Sequence, residues 1–308
     1  MKKLIVIFIC VVLSISIFGE NLKIYVPQAP PAIRFYKVKE LNKDIDITLY
    51  TDLNSEVLPK ILKKENALYV VPSNVAAKLY NKKVDVLMLG ITSMGLLQVL
   101  SCDESIKNIK DFDNVQVYLG DRGSSPDIIS RYTFEKNGVK PNYIYSSSYE
   151  IARFMIAGKI KNCVLPEPLA SIIIHQFETK GKYIKRIANL KNEWKSINNS
   201  NGIPQTAVIA SSVYYQTNKK KIDGLLEEYK KSIKWVNDDN KSASKIGKQI
   251  MDSEVPEVVI EKSIPNMNLV FISGKDGKES LNIYFKILRD YEETTIGGDI
   301  PDGKFYGE

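Results

Sequence analysis

Four stretches of this chain gather small hydroxyl, amide or charged residues where an apolar run gives way to a helical pattern. They are Val71-Pro72-Ser73-Asn74, Gly90-Ile91-Thr92-Ser93, Gly120-Asp121-Arg122-Gly123-Ser124-Ser125 and Pro166-Glu167-Pro168. At strand-to-helix corners of this kind, free backbone N–H groups and short polar side chains can hold a polar or anionic solute. Each corner alone is explained by capping, because a hydroxyl or amide oxygen accepts from the exposed N–H groups of a first helical turn. Four of them at matching places in two blocks of chain point to a shared crevice. Glu167, between two prolines, reads equally as a helix cap or inter-lobe ion pair and as an acceptor for ligand. Arg122 suits an anion or solvent, and Asp127 beside it already answers part of the positive end of its helix.

Catalytic constellations are scarce. His175 is the one histidine and sits mid-helix beside Ile172, Ile173 and Ile174, which marks it as a packed or surface helix residue rather than a catalytic one. With one His, no CxxC and no HExxH, neither zinc chemistry nor thiol redox chemistry is expected. No GxGxxG or P-loop follows a strand, and no GxSxG elbow accompanies His175. The expectation is therefore no catalytic residue, no metal and no cofactor. Cys102 and Cys163 lie in apolar surroundings and read as buried thiols, with one disulfide between them as the alternative.

Charge narrows the partners. The 308 residues carry 43 Lys and Arg against 36 Asp and Glu, a net +7, with 44% hydrophobic and 26% charged residues. The lysines are scattered along helical patterns with acids nearby, as at Lys60, Lys63, Lys64 and Lys219 to Lys221, and read as solvated faces. No basic run is interleaved with aromatics, so nucleic acid is not an expected partner. The apolar share fills real cores, and the length allows two medium-sized domains.

The first residues stand apart. Lys2 and Lys3 precede the apolar run Leu4 to Ile17, and Phe18-Gly19-Glu20-Asn21 ends it. That run is short for a membrane span and right for a secretory leader. Cleavage after Gly19 is expected, although Ile17 occupies a place where a small residue is favoured, which keeps an uncleaved anchor as the alternative. Cys10 follows Ile9 rather than a small residue, so lipidation there is not expected. Without Lys2 and Lys3 the net charge is +5.

From Asn21 onward short β-rich runs alternate with helical patterns, which predicts a mainly parallel α/β sheet. Leu22 to Val26, Ile45 to Tyr50, Leu68 to Val71 and Val84 to Gly90 read as strands, with helices from about Ser55 to Glu65 and from Ser73. Leu96 to Leu100 reads as a strand leaving this first sheet. Val115 to Leu119, Tyr143 to Tyr145 and Asn162 to Leu165 then restart the alternation. Their helices are punctuated by Ser125-Pro126-Asp127 and Gly138, and by the Ser147 and Glu150 capping box and Gly158. Asn192 to Gly202 reads as a loop, Ala207 to Ser211 as the strand returning to the first sheet, and the remainder as mainly helical, ending in a Gly/Pro-rich tail from Thr295. Such a path makes two lobes joined by two hinge crossovers, with a cleft between them. The expected division is a leader over 1–19, lobe one over 20–112 and 205–308, and lobe two over 113–204.

Several of these stretches together resemble a known family. PQAPPAI (Pro27 to Ile33), VVPSNVAAKLYNKK (Val70 to Lys83), GITSMGLLQVLS (Gly90 to Ser101) and GDRGSSPDIISRYTFEKNG (Gly120 to Gly138) come in the order found in one group of ABC-transporter solute-binding proteins. AGKIKNCVLPEPLAS (Ala157 to Ser171), GIPQTAVIASS (Gly202 to Ser212) and IGGDIPDGKFYG (Ile296 to Gly307) continue the series. The chain is similar to the nitrate/sulfonate/taurine type, a group that includes binders of thiamine-precursor pyrimidines. The resemblance implies a type II periplasmic-binding fold, closure of two lobes on a small solute, an exported periplasmic or cell-surface protein acting as a monomer, and docking on a membrane permease with its ATPase. By motif position it implies ligand contacts at Gln28, Pro30, Ser73, Asn74, Thr92, Ser93, Ser124, Ser125, Glu167 and Gln205. The fold also carries sensory binding proteins and enzymes of the menaquinone and pyrimidine biosynthesis types. The pyrimidine-forming enzymes need a cysteine-rich stretch and histidines that this chain does not carry.

Overall fold

The computed structural model describes residues 21–251 and 255–308. The leader read over 1–19, with Cys10, lies outside the described residues. From the described start the chain forms β1 (Leu22–Pro27), α1 (Ala32–Leu41), β2 (Ile45–Tyr50), a π-helical turn (Leu53–Val57) running into α2 (Leu58–Leu62), β3 (Leu68–Pro72), α3 (Ser73–Asn81) and β4 (Leu87–Ser93). It then crosses to a second region: β5 (Leu97–Ser101), β6 (Gln116–Leu119), α4 (Ser125–Lys136), β7 (Asn142–Tyr145), α5 (Ser148–Ile156), β8 (Asn162–Pro166), α6 (Leu169–Thr179), β9 (Lys185–Asn189) and α7 (Leu190–Asn198). It returns through β10 (Thr206–Ala210), α8 (Ser212–Thr217), α9 (Lys219–Asp238), α10 (Asn240–Ile250), α11 (Glu257–Met267), β11 (Leu269–Ser273) and α12 (Gly274–Tyr291).

Two mixed sheets result. The first has the order β11-β4-β10-β3-β1-β2 and the second β7-β6-β8-β5-β9. Strands β1, β2 and β3 pair in parallel, whereas β10 slots antiparallel between β3 and β4, and β11 pairs antiparallel with β4 at the edge. In the second sheet β6 pairs in parallel with β7 and β8, and β5 lies antiparallel between β8 and β9. The antiparallel share exceeds what the alternation predicts because the strands that switch sheets, β5 and β10, must enter against the local direction. Strand β5 falls within the span 20–112 assigned above to lobe one, yet it pairs in the second sheet. The change of sheet therefore comes between Ser93 and Leu97.

Each sheet is covered on both faces, as expected for strands fed by helical crossovers. On one face of the first sheet Leu22, Ile24, Val26, Leu68 and Val70 pack with residues of α1 and α9. Arg34 is fully buried there. Its Nε donates to Ser232 Oγ at 3.1 Å, its Nη1 to the Val270 carbonyl, and its guanidinium lies 3.7 Å from the Tyr229 ring centre, so the buried charge is fully partnered. The other face carries Tyr25, Tyr69, Ile91 and the α12 residues Leu281, Tyr284 and Phe285, and this cluster continues through Leu97 and Val99 to Phe134 and Trp194 of the second region. One apolar layer thus joins the sheets. Leu100, Cys163 and Leu165 pack on α5 and α6 on the far side. Both Cys102 and Cys163 are free thiols.

Three elements differ from the sequence expectation. The segment Asn192 to Gly202, expected as a loop, is helical up to Asn198. Asn189 caps it by accepting from Lys191 N at 3.0 Å, and only Leu190 and Trp194 of its nine residues are buried, so its polar composition is that of a solvated face. The helix expected over Ser55 to Glu65 is the shorter π-turn and α2, which ends at Leu62. β11 interrupts the helical C-terminal third, and the tail after Thr295 packs down through buried Phe305 and Tyr306.

Candidate functional site

On the first sheet, the corner after β3 places Ser73 at the start of α3, fully buried. Its N–H donates to the Gln205 carbonyl at 3.1 Å and its hydroxyl to the Pro204 carbonyl. Asn74 donates through Nδ2 to the Thr295 carbonyl at 3.3 Å. At the end of β4, Thr92 and Ser93 are both fully buried and share the Thr206 hydroxyl, at 2.7 and 2.8 Å. Gln205 accepts from Leu96 N at 2.6 Å through Oε1 and donates its own N–H to the Ser93 carbonyl at 3.2 Å. Thr92, Ser93 and Gln205 are therefore engaged with one another's strands at the crossovers. They brace the point where the chain leaves and re-enters the first sheet.

Beyond β1, Gln28 is exposed and donates through Nε2 to the Met251 carbonyl at 2.9 Å, while Pro30 is buried ahead of α1. On the second sheet, Ser124 caps α4. Asp127 fills the space at that helix start: its carboxylate accepts from Gly123 N at 2.8 Å and from Arg131 Nε and Nη2 at 2.9 and 3.0 Å. Arg122 lies 5.9 Å from the Tyr145 ring centre. Ser125 reaches the other way, with its Oγ 2.6 Å from the hydroxyl of Tyr284 on α12. Tyr284 is buried, its phenol pushed up by that burial, and Ser73 is its other hydroxyl neighbour. One tyrosine thus joins the corner after β3 to the corner after β6.

A second polar cluster lies where α6 meets α11. Glu167, 3% exposed, accepts from Arg186 Nη2 at 2.5 Å and from Ser171 N at 3.1 Å. Arg186 Nη2 also reaches Ser171 Oγ at 3.2 Å. Burial pushes the Glu167 carboxyl up, and Arg186 and the Ser171 bonds pull it back only in part. Above this pair is a cavity of about 180 Å³, walled by His175 and Glu178 of α6 and by Val259 and Lys262 of α11. Lys262 Nζ stands 4.0 Å from Glu178 Oε2.

No family model matches the sequence, and no curated protein matches it. Solved structures do. An ABC transporter protein from Parabacteroides distasonis superposes with a TM-score of 0.79 at 21% identity, over 94% of this chain and 99% of that one. The periplasmic aliphatic sulphonate binding protein SsuA from Escherichia coli gives 0.72 at 13% identity over 94% and 97%. The periplasmic nitrate-binding protein NrtA from Synechocystis gives 0.63 at 12% over 90% and 84%. The chain has the periplasmic binding-protein fold.

Within that fold the corners of both sheets carry small polar residues, as the sequence indicates, and the structure brings Ser73 and Ser125 together. Gln28, Asn74 and Glu167 each make hydrogen bonds of their own, to the Met251 carbonyl, to the Thr295 carbonyl, and with Ser171 and Arg186. Three residues were missed. Tyr284 belongs to a helix more than 150 residues downstream of the corners it joins, with nothing local to mark it. Arg186 stands on a strand with no motif, and Lys262 is one lysine among many. Among the described residues no group of three or more His, Cys, Asp or Glu could hold a metal ion.

Proposed function

We propose that this chain is an extracytoplasmic solute receptor of an ABC-type importer. In this reading each sheet with its helices is a lobe, the links 93–97 and 198–206 are hinges, and a small solute is held between the lobes. The observation that supports it is the Tyr284 hydroxyl on α12, 2.6 Å from Ser125 after β6 and with Ser73 after β3 as its other hydroxyl neighbour, so that one side chain links a polar corner of each sheet. SsuA and NrtA, named for sulphonate and nitrate, share the fold and support a small polar solute. Gln28, Asn74, Ser124 and Ser125 are the proposed contacts nearest solvent, with Ser73 behind them. Export with removal of residues 1–19, a single-chain receptor, and delivery to a permease and its ATPase complete the reading. Among the described residues no helix is long and apolar enough to cross a membrane.

The test is capture with closure. Purified residues 20–308 are screened by thermal shift against sulfonates, nitrate, bicarbonate, aminopyrimidines and flavins, since a ligand that binds only the folded state raises the melting temperature. Hits are then followed by small-angle scattering. A hit that contracts the molecule and is recovered unchanged supports the receptor. Conversion of the hit to a product, or a full-length protein retained in the cytosol, rejects it.

A further inference from the structure

Two Asn-Gly steps occur in this chain, Asn137-Gly138 and Asn201-Gly202. At such a step the glycine nitrogen can attack the side-chain amide of the asparagine before it, because glycine has no Cβ to obstruct the approach. The two steps are alike in sequence and opposite in structure. Asn137 closes α4, where its Nδ2 donates to the Thr133 carbonyl at 2.9 Å and to Glu193 Oε2 at 3.3 Å. The Gly138 N–H donates to the Glu135 carbonyl at 2.9 Å. Both reacting groups are tied there.

Asn201 is exposed, in the return crossover between α7 and β10 and outside any helix or strand. Among the described residues neither its side chain nor the Gly202 N–H has a hydrogen-bond partner. Gly202 is buried, yet the group it attacks belongs to its own neighbour, whose amide lies in solvent. Its surroundings are close: a Cβ on Gly202 would stand 2.7 Å from the Met94 carbonyl oxygen. Just beyond, Ile203 N and Gln205 N donate to the carbonyls of Met94 and Ser93, both at 3.2 Å.

We propose that Asn201 is a site of spontaneous deamidation that alters the return crossover. Gly202 N gives up its proton to solvent and bonds to Asn201 Cγ, and the bond from Cγ to the side-chain nitrogen breaks as ammonia leaves. Water then opens the five-membered imide at either carbonyl, giving aspartate or isoaspartate, with no oxidant or reductant involved. In isoaspartate the main chain runs through Cβ and Cγ and is longer by one carbon. Between Asn199 and Ile203 there is no slack to take up that carbon, so the bonds from Ile203 and Gln205 to the outgoing crossover loosen. In the receptor reading this link is one of the two hinges, and the aged molecule closes on a changed joint; the chemistry itself does not depend on that reading.

The experiment ages the purified protein in warm, mildly alkaline buffer and digests it beside fresh protein with trypsin, which releases Asn201 in fragment 196–219 and Asn137 in fragment 137–153. Fragment 196–219 is expected to gain the mass of an amide exchanged for a carboxyl, localised to Asn201 by fragmentation, with isoaspartate as a separately eluting product. Fragment 137–153 should convert about tenfold or more slowly, because its hydrogen bonds must open first. Asn201→Gln, at an exposed side chain, should abolish the gain and leave the fold intact, since the longer side chain closes its ring far less readily. Hydrogen exchange on the aged protein should be faster than on fresh protein at the amides of Ile203 and Gln205, with β1 unchanged. No conversion at Asn201, equal conversion of the two fragments, or unaltered exchange at Ile203 and Gln205 after conversion overturns the proposal. None of these measurements uses a solute, so their failure leaves the receptor reading standing, and failure of the capture screen leaves this site standing.

Discussion

Tyr284 Oη lies 2.6 Å from Ser125 Oγ, although 159 residues separate them and they belong to regions built on different sheets. The same ring packs 6.2 Å from Trp194, and one helical stretch later Tyr291 donates to Glu135 of α4 and stacks near Arg131. Helix α12 thus begins against β4 of the first sheet and ends on α4 and α7 of the second. It is a strap across the two sheets in addition to the two chain crossovers.

Tyr284→Phe keeps the ring and removes the hydroxyl. Loss of one buried hydrogen bond is expected to lower stability by about 0.5–1.5 kcal/mol, and the two regions should separate more readily. Urea denaturation reads the first effect and the radius of gyration from small-angle scattering the second. An unchanged radius and midpoint would show that Ser125 and Tyr284 meet without holding anything.

The Glu167–Arg186 pair is fixed on its carboxylate side, where the side chain is fully buried, and partly exposed on its guanidinium side. Glu167→Leu leaves a guanidinium without its carboxylate, an imbalance expected to lower stability by about 3 kcal/mol. Adding Arg186→Met removes the stranded charge and should recover most of that loss. A double-mutant cycle in guanidinium chloride gives the coupling directly; two single losses that simply add would mean the pair contributes nothing.

Asp103 lies in the turn after β5 and accepts from Ser105 Oγ at 2.7 Å, Ser105 N at 3.0 Å and Lys161 Nζ at 3.0 Å. These donors, those of Ser105 first, lower its carboxyl to about 2. The unfolded value is about 3.9, so the unfolded chain binds the proton more tightly, and the contribution is complete above pH 4 and lost as the pH falls towards 2. A carboxyl carbon NMR titration should place the Asp103 midpoint near 2, and Asp103→Asn should flatten the fall in stability between pH about 4 and 2. A midpoint near 4 would remove the basis of this expectation.

Much of this fold is legible in the sequence itself. The alternation of β-rich and helical runs located both sheets because strand period and helix caps are local signals, as at Ser147 and Gly158, whereas the cap of α4 falls at Ser124, one residue before the expected Ser125. What escaped was non-local or masked by composition. Helix α7 reads as a loop because seven of its nine residues face outward or lie half-buried, and β11 is a five-residue run following a helix, too short to separate from one by periodicity. At the site, hydroxyls at corners are visible in sequence, but whether they face a ligand or each other depends on partners far along the chain. Thr92 and Ser93 turn to Thr206, Glu167 turns to Arg186, and only the register of β9 and β10 decides that.

Gly202 tests the proposed hinge. It has φ +136°, a conformation that side-chain-bearing residues seldom adopt, and a Cβ there would stand 2.7 Å from the Met94 carbonyl oxygen and 3.1 Å from Lys191 Cγ. Around it the outgoing and returning crossovers are laced together: Ile203 N donates to Met94 O at 3.2 Å, Met94 N to Asn268 O at 3.0 Å, and Asn268 Nδ2 to Gly95 O at 2.6 Å. Gly202→Ala therefore meets backbone rather than a flexible side chain, and relief requires the two crossovers to part. A loss of about 1–3 kcal/mol is expected from strain and crowding together. Hydrogen exchange should quicken first at the amides of Met94, Leu96, Ile203 and Gln205, while those of β1 and β6 stay protected, because the sheets themselves are untouched. Uniformly faster exchange would mean that the crossovers have no separate stability and do not act as a hinge.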